Sequence, residues 1–225
     1  MISDAPNLAT LDLEIARSNT GRGGGARSIA KGGISVVGVW GVRDWGPYVW
    51  LLDGSRFPRV FLSEDHMQKT MERYDGIVTF NGLNFDDVVM RLCVPDIQKT
   101  WRRKTHVDLQ AVCCLLQAGV SPEKIVEAKE GWAKTVQTLS EDLLNAGWSL
   151  EAVAQGTLGI GKLEGPQGLE SVHAWEDGRY SEVVSYNLWD VALTRSLYLH
   201  AWEHGWLESN ERGRVSIPRI CLGGE

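Results

Sequence analysis

The chain begins with an alternation of apolar and polar residues that is typical of a half-buried β-strand. Over residues 8–16, Leu11 and Leu13 fall on one face of the predicted strand, while Asp12 and Glu14 fall on the other. Because successive side chains of a strand point to opposite sides, the two carboxylates are predicted to point the same way. The pattern therefore places a pair of acids on one face of the first strand.

Four further apolar segments predict the other strands of a sheet. Residues 34–43 and 48–53 are rich in valine, tryptophan, isoleucine and leucine, and the turn residues 44–47 between them predict a hairpin. Short apolar runs over residues 76–80 and 105–109 predict two more strands. The first three strands are expected to form an antiparallel meander.

Helical periodicity and capping residues predict the helices. Ser63, Asn84 and Ser149 suit helix N-termini, because a short polar side chain there accepts a hydrogen bond from a free backbone N–H. The predicted helices cover residues 63–74, a segment that begins beside Asn84, and residues 111–117, 121–147, 150–155 and 179–205. This order of elements predicts a single α/β domain over residues 1–225, with a mixed five-stranded sheet flanked by helices.

The charge balance limits how the protein can meet a polyanion. The 225 residues carry 23 lysines and arginines against 29 aspartates and glutamates, so the formal net charge is −6. This excludes a uniformly basic protein that coats nucleic acid, and any polyanion must be bound locally. The four cysteines show no Cys-x-x-Cys spacing, and the N-terminal residues lack a basic-then-apolar leader. These features predict reduced thiols in a cytoplasmic protein, and no apolar run approaches the about 20 residues that cross a bilayer.

The last predicted helix carries a single acid on its apolar seam. Val183, Tyr186, Asp190, Leu193 and Leu197 follow a 3,4,3,4 spacing, so they share one face. A carboxylate on a buried face is costly unless it is paired, hydrogen-bonded or bound to a metal. Asp190 is therefore expected to face a cation, which is either a divalent metal or an arginine or lysine of a neighbouring element. Tyr186 lies one turn earlier, within reach of the same ligand.

The other acids have ordinary explanations when each is taken alone. Asp12 and Glu14 suit a solvated strand face, and Asp86 suits the first turn of a helix, where an acid complements the helix dipole. Asp108 suits either a fifth acid of a shared site or a helix start. Only the acidic segments taken together indicate one site.

Taken together, three acidic segments follow the order of a known family. They read Asp-x-Glu at residues 12–14, Asn-Phe-Asp at residues 84–86 and Tyr-x-x-x-Asp at residues 186–190. In this order they resemble the DEDD superfamily of 3′-to-5′ exonucleases. Residues 78–86 are similar to the second exonuclease motif of family B DNA polymerases and their stand-alone relatives. The resemblance covers most of the chain, from about residue 8 to residue 204.

Two further features carry the resemblance. Residues 149–154 and 157–162 are similar to the segment that precedes the third motif in those relatives. The tyrosine type of the superfamily has a tyrosine four residues before the last aspartate, where Tyr186 precedes Asp190. The histidine type has a histidine five residues before it, where this chain has Ser185. The chain thus resembles the tyrosine type.

The resemblance implies a ribonuclease H-like fold and a site for two divalent cations, Mg²⁺ or Mn²⁺. Asp12 would bridge both ions, Glu14 and Asp190 would complete the first, Asp86 would act at the second, and Tyr186 would orient the attacking water. Such ions lie roughly 3.5 to 4 Å apart and need acidic oxygen ligands to offset their charge. The expected activity is a 3′-to-5′ exonuclease acting on the 3′ ends of single-stranded DNA.

A predicted nucleic-acid-binding surface accompanies these acids. It comprises Asn81, Asn84 and Phe85 of the second motif, Lys162, and Arg102, Arg103 and Lys104 of the densest basic cluster. The basic cluster suits contact with a phosphate backbone, and it also suits a solvated loop. The glycine-rich residues 21–33 predict a flexible connection that is able to close over nucleic acid.

Three other functions stay open at this level. The same acids would serve a 3′-to-5′ exoribonuclease, because nothing in the sequence decides whether a 2′-hydroxyl is accepted. A structure-selective endonuclease on the same fold is a second alternative. The third is a non-catalytic nucleic-acid-binding module that recruits partners and keeps its acids for structural reasons. No segment identifies a protein partner.

Overall fold

The computed structural model describes residues 4–17, 30–53, 64–102, 104–127 and 147–224. Five strands form its central sheet: β1 (Leu8–Ile15), β2 (Ile34–Gly41), β3 (Tyr48–Leu51), β4 (Gly76–Thr79) and β5 (Thr105–Asp108). The strand order across the sheet is β3-β2-β1-β4-β5. All five predicted strands are therefore present, and each ends one or two residues earlier than the sequence pattern predicts.

The sheet combines both kinds of strand pairing. β1, β2 and β3 pair antiparallel, which confirms the predicted meander, whereas β1, β4 and β5 run parallel. The parallel strands are joined through helices, because a parallel connection must carry the chain back along the sheet. The result is a mixed five-stranded sheet flanked by helices, as predicted.

Eight α-helices, two short 3-10 helices (Ala30–Gly32 and Arg219–Leu222) and a second hairpin complete the described part of the chain. The helices are α1 (Glu64–Glu72), α2 (Asp86–Cys93), α3 (Pro95–Arg102), α4 (Leu109–Gln117), α5 (Pro122–Glu127), α6 (Leu150–Leu158), α7 (Leu169–Glu176) and α8 (Tyr180–His204). After α8, β6 (Trp206–Ser209) and β7 (Gly213–Ser216) pair antiparallel. The sequence pattern does not predict α3, α7 or this hairpin.

The predicted helix caps have different outcomes. Ser149 accepts a hydrogen bond from the backbone N–H of Ala152 at 3.1 Å, so its predicted role is confirmed. The prediction for Asn84 is wrong, because the residue before α2 is Phe85 and makes no side-chain cap. Asn84 instead donates its side-chain amide to the Asn81 side-chain oxygen at 3.3 Å.

Some predictions fall on residues that the structure does not describe. Ser63, the glycine-rich residues up to 29, and residues 128–146 of the predicted helix 121–147 lie outside the described ranges. α5 covers the beginning of that predicted helix. Within the described ranges, no helix combines the length and the apolar character that a membrane crossing requires.

One face of β1 packs into an apolar layer. Leu11 and Leu13 lie in the same buried cluster as Met67 and Met71 of α1 and Val89 of α2. Burying these side chains requires the alternating pattern of β1 to keep its register, since a shift of one residue would turn the apolar side chains outward. The register of β1 thereby sends its two acids to the opposite face.

The opposite face of the sheet is covered by the long helix α8, which packs on β1 and β2. The seam residues Val183, Leu193 and Leu197 are buried there, as the helical spacing predicts. Asp12 and Glu14 project from β1 on this side and line a cavity with residues of α8. The fold thus positions the acids of β1 beneath the seam of α8.

Candidate active site

Three elements bring acids and a tyrosine to one cavity. β1 contributes Asp12 and Glu14, the first turn of α2 contributes Asp86, and α8 contributes Tyr186 and Asp190. All five side chains line a single cavity of about 550 Å³. Residues that are distant along the chain therefore meet at one site.

Polar neighbours orient the two acids of β1. The side-chain amide of Asn187 in α8 donates to Asp12 Oδ2 at 2.8 Å. The hydroxyl of Ser171 in α7 donates to Glu14 Oε2 at 2.8 Å. Each donor holds one oxygen of its carboxylate and so restrains the direction in which that acid points.

Hydrogen bonds to the buried Asp108 hold the loop that leads to Asp86. Asp108 accepts hydrogen bonds from the backbone N–H groups of Asn81 at 3.1 Å, Leu83 at 3.0 Å and Ala111 at 3.2 Å. The last of these caps the N-terminus of α4. Of the two predicted roles, Asp108 therefore takes the helix start, and it also fixes the approach to Asp86.

Asp190 meets a lysine in the folded chain. Lys162 Nζ lies 2.5 Å from Asp190 Oδ2, and their side chains are only 19% and 7% exposed. The same ammonium lies 4.7 Å from the centre of the Tyr186 ring. The expectation that Asp190 faces a cation is confirmed. The alternatives were a divalent metal and a basic side chain, and the structure shows a basic side chain, that of Lys162.

The segment that carries Lys162 is anchored on two helices. The backbone N–H of Lys162 donates to Glu151 Oε2 in α6 at 2.5 Å. The indole N–H of Trp189 in α8 donates to the carbonyl oxygen of Gly161 at 3.0 Å. These bonds hold the lysine at the wall of the cavity.

Burial raises the pKa of the acids. It raises the pKa of Asp12 well above its usual range, and the nearby charges of Asp86 and Asp190 raise it further. Burial also raises the pKa of Glu14 to about 7 and that of Asp86 to about 8. Burial raises the pKa of Asp190 as well, against the lowering effect of Lys162. Positive charge in the cavity would favour the ionised form of every one of these groups.

Two buried carboxylate oxygens bear on whether these acids suit a divalent metal ion. Within the described ranges, Asp86 Oδ1 and Asp190 Oδ1 are buried without a hydrogen-bond partner. Such atoms are costly unless they are satisfied, and carboxylate oxygens are the donors that Mg²⁺ and Mn²⁺ prefer. The donor set therefore fits hard divalent cations.

The geometry of the acids does not yet form a metal cage. Among the residues that the structure describes, no three histidine, cysteine, aspartate or glutamate side chains converge closely enough to hold a metal ion. The Lys162 ammonium lies against one of the two Asp190 oxygens. Cation binding would therefore require the acids to draw together.

Apolar and cationic side chains complete the cavity. The apolar residues that line it are Leu13, Ile15, Phe80, Phe85, Leu150, Leu169 and Val172. Arg17 and Lys162 line it as well. The cavity thus combines an acidic centre with aromatic surfaces on which a base can stack and cations that can meet phosphate.

The predicted nucleic-acid-binding residues separate into two groups. Asn81, Phe85 and Lys162 line the cavity, whereas Asn84 and Lys104 do not. Asn81 has a left-handed backbone with φ 65°, which asparagine tolerates better than most residues. The second motif therefore supplies the wall of the cavity beside Asp86.

Lys104 has a structural position. Its ammonium donates to the carbonyl oxygens of Met71 at 3.1 Å and Glu72 at 3.0 Å, and also to that of Tyr74. These three carbonyls match the three protons of an ammonium, which leaves Lys104 poorly placed for a phosphate. Arg102 is the last residue of α3, and Arg103 lies outside the described residues.

Sequence reasoning missed three residues of the site: Arg17, Ser171 and Asn187. Asn187 lies within the third acidic segment, three residues before Asp190, so its position in that segment was the available signal. Ser171 belongs to α7, which no clear periodicity predicts, and Arg17 follows the first strand directly. Comparisons with known proteins add no relatives, because no protein-family model and no curated protein matches the chain.

Proposed function

We propose that the protein is a metal-dependent 3′-to-5′ exonuclease that acts on single-stranded DNA, built on a ribonuclease H-like fold. The observation that supports this most directly is the meeting of Asp12, Glu14, Asp86, Tyr186 and Asp190 at one cavity. The order of the five strands and the long helix over the sheet are compatible with such a fold. The buried unpaired oxygens of Asp86 and Asp190 add a physical reason for cation binding.

Asp12, Glu14, Asp86 and Asp190 would hold the two divalent cations. When bound, such a pair supplies an activated water and offsets the charge that develops on the departing 3′ oxygen. The hydrogen bonds of Asn187 and Ser171 orient two of the ligands before any cation arrives. These donors lower the cost of assembling the site, because the acids need less rearrangement.

Tyr186 acts as a hydrogen-bond donor in this proposal. Burial raises the pKa of its hydroxyl to about 12, so the hydroxyl stays protonated at neutral pH. A protonated phenol can orient a water beside Asp190 and cannot serve as the general base. Tyr186 therefore positions the nucleophile.

Lys162 holds the ionised form of Asp190 and faces the cavity. Burial lowers the pKa of the lysine, but the charge and the hydrogen bond of Asp190 outweigh burial and raise it overall. The ammonium is therefore charged at every physiological pH. In the proposal it serves as a contact for substrate phosphate, as the sequence predicts.

The test uses single-stranded oligonucleotides labelled at either the 3′ or the 5′ end, incubated with Mg²⁺ or Mn²⁺. Stepwise shortening from the 3′ end in the wild type, with none in Asp12→Ala, is the expected result. No shortening, or shortening only from the 5′ end, would contradict it. Matched RNA oligonucleotides decide between DNA and RNA, and circular single-stranded DNA, which has no ends, identifies an endonuclease.

One observation favours a second candidate function, a non-catalytic nucleic-acid-binding module. The Lys162–Asp190 ion pair gives Asp190 a structural partner, and no metal cage is formed among the described residues. In that case the acids would bind no divalent cation, while single-stranded DNA would still bind. Calorimetry with Mn²⁺ together with a DNA-binding assay separates the two candidates.

A further inference from the structure

Two buried side chains of helix α7, one turn apart, each donate a hydrogen bond to an acid. Ser171 donates to Glu14 Oε2 at 2.8 Å, and the indole N–H of Trp175 donates to Asp53 Oδ2 at 3.0 Å. Ser171 and Trp175 are both fully buried.

The second of these contacts ends at an arginine of the cavity. Asp53 Oδ1 lies 3.7 Å from Arg17 Nη2, and the Asp53 side chain is only 4% exposed. Arg17 is 57% exposed and lines the cavity together with Glu14. A buried carboxylate that is held by an indole thus restrains an arginine whose guanidinium reaches solvent at the cavity wall.

The chemistry of this arginine differs from that of the acids around it. Two cations and four acids would leave little net charge to attract a substrate phosphate, so a separate cation is needed to hold the strand. A guanidinium offers several N–H donors in a fixed fork that matches a phosphate. Asp53 is nearly buried, whereas the Arg17 side chain is 57% exposed, so the arginine is the member of this pair that solvent reaches.

We propose that Arg17 binds the phosphate next to the scissile one on its 5′ side, and that Asp53 and Trp175 are positioning residues for it. This inference rests on the proposed nuclease function. The side is set by the substrate itself, because the terminal nucleotide of a 3′ end carries a hydroxyl and no further phosphate. The only neighbouring phosphate therefore lies one nucleotide upstream.

The test compares two dinucleotides that differ by one phosphate. One carries a 5′-hydroxyl and holds only the scissile phosphodiester, while the other carries a 5′-phosphate at the proposed Arg17 position. In the wild type we expect kcat/KM to favour the 5′-phosphorylated dinucleotide by about tenfold, mostly through KM, because a charge-assisted hydrogen bond is gained. In Arg17→Ala that ratio should fall to about one.

Three single variants and one double variant separate this role from general effects of charge or folding. Lys124→Ala removes an exposed cation that does not line the cavity, and the substrate ratio should stay at its wild-type value. Asp53→Asn should lower the ratio, and adding it to Arg17→Ala should lower it no further, since both act on one contact. Arg17→Lys should restore part of the ratio, because the charge remains while the fork is lost.

A binding measurement in Ca²⁺ keeps this inference testable apart from the nuclease proposal. The probe is a fluorescently labelled single-stranded trinucleotide whose upstream linkage is either a phosphate or a neutral methylphosphonate. The wild type should bind the charged form about tenfold more tightly, and Arg17→Ala should bind both alike. If neither dinucleotide is cleaved, the proposed nuclease function is wrong. The comparison of the two trinucleotides then tests by itself whether Arg17 binds the upstream phosphate. Equal binding of both probes by the wild type, or an unchanged ratio in Arg17→Ala, overturns the inference.

Discussion

Lys162 Nζ lies 2.5 Å from Asp190 Oδ2, and both groups are largely buried at the wall of the acidic cavity. The seam of α8 would otherwise bury an uncompensated carboxylate between apolar residues. The lysine comes from the segment between α6 and α7, far from α8 in sequence. This ion pair compensates the buried charge of Asp190.

Lys162→Met should destabilise the protein. Removing one partner of a buried pair leaves an unpaired charge and costs about 3 kcal/mol of unfolding free energy. Chemical denaturation in a chelating buffer measures the loss, with Lys124→Met as the control for removing an exposed lysine. Adding Mn²⁺ should return more stability to Lys162→Met than to the wild type, because a cation then replaces the ammonium beside Asp190. Equal stability of Lys162→Met and the wild type in the chelator would contradict the structural role of the pair.

Tyr186→Phe should lower kcat on a labelled oligonucleotide by about a hundredfold, because a misplaced reacting group can cost about that much. The carboxylates are untouched, so Mn²⁺ affinity should change little. The matched control is Tyr198→Phe on the same helix, whose hydroxyl donates to the carbonyl oxygen of Leu222 at 2.9 Å, away from the cavity. Tyr198→Phe should cost stability and leave kcat near the wild-type value. Similar kcat values for the two variants would refute the role of Tyr186.

The stability of the metal-stripped protein should fall as pH rises from about 5 to about 8. The pKa of Glu14 rises from 4.5 to about 7 on folding, and that of Asp86 rises from 3.8 to about 8. Between these values the folded chain binds more protons than the unfolded chain, so raising the pH favours unfolding. Chemical denaturation at several pH values in a chelator measures the slope.

Two comparisons test the origin of that slope. Glu14→Gln removes one titrating group and should make the pH dependence shallower. Saturating Mn²⁺ should reduce or reverse it, because the ionised carboxylates are then the favoured ligands. A stability that rises with pH in the chelator would show that these acids are not held in the protonated form.

Gly38→Ala should disturb the site from within the sheet. Gly38 pairs with Asp12 in the β1–β2 register, and a Cβ there would overlap the Asn187 side-chain oxygen and lie 3.0 Å from Val191 Cγ2. Overpacking of this kind costs about 1–3 kcal/mol, and it would move the amide that orients Asp12. Gly46→Ala is the control, because nothing lies within 4 Å of an added Cβ there. The free energy of unfolding and kcat are measured for both variants. Identical values for Gly38→Ala and Gly46→Ala would contradict the close contact between position 38 and Asn187.

The sequence predicts the sheet well because alternation is a local property. The pattern of β1 places its acids and its apolar residues on opposite faces, and the seam of α8 places Asp190 inward; both follow from spacing alone. α7 escapes prediction because it is short and follows a glycine- and proline-containing segment that ends at Gly168. Ser171 and Trp175 therefore enter the account only through the structure.

Long-range partners are harder to predict than elements. The seam predicts that Asp190 needs a cation, but the choice of Lys162 depends on how the segment between α6 and α7 crosses the cavity, anchored by Glu151 and Trp189. In the same way, the basic character of Lys104 predicts phosphate binding from sequence alone. In the structure its ammonium is instead bound by backbone carbonyl oxygens. Local spacing does not encode either contact.

The acids of this cavity are proposed to hold two divalent cations. Isothermal titration calorimetry of the chelator-treated protein with Mn²⁺ tests it most directly, with Asp12→Ala as the comparison. We expect two bound ions per chain in the wild type, and loss of binding in Asp12→Ala because one of the four proposed acidic ligands is gone. Absence of Mn²⁺ binding by the folded wild type, or equal binding by Asp12→Ala, would contradict it.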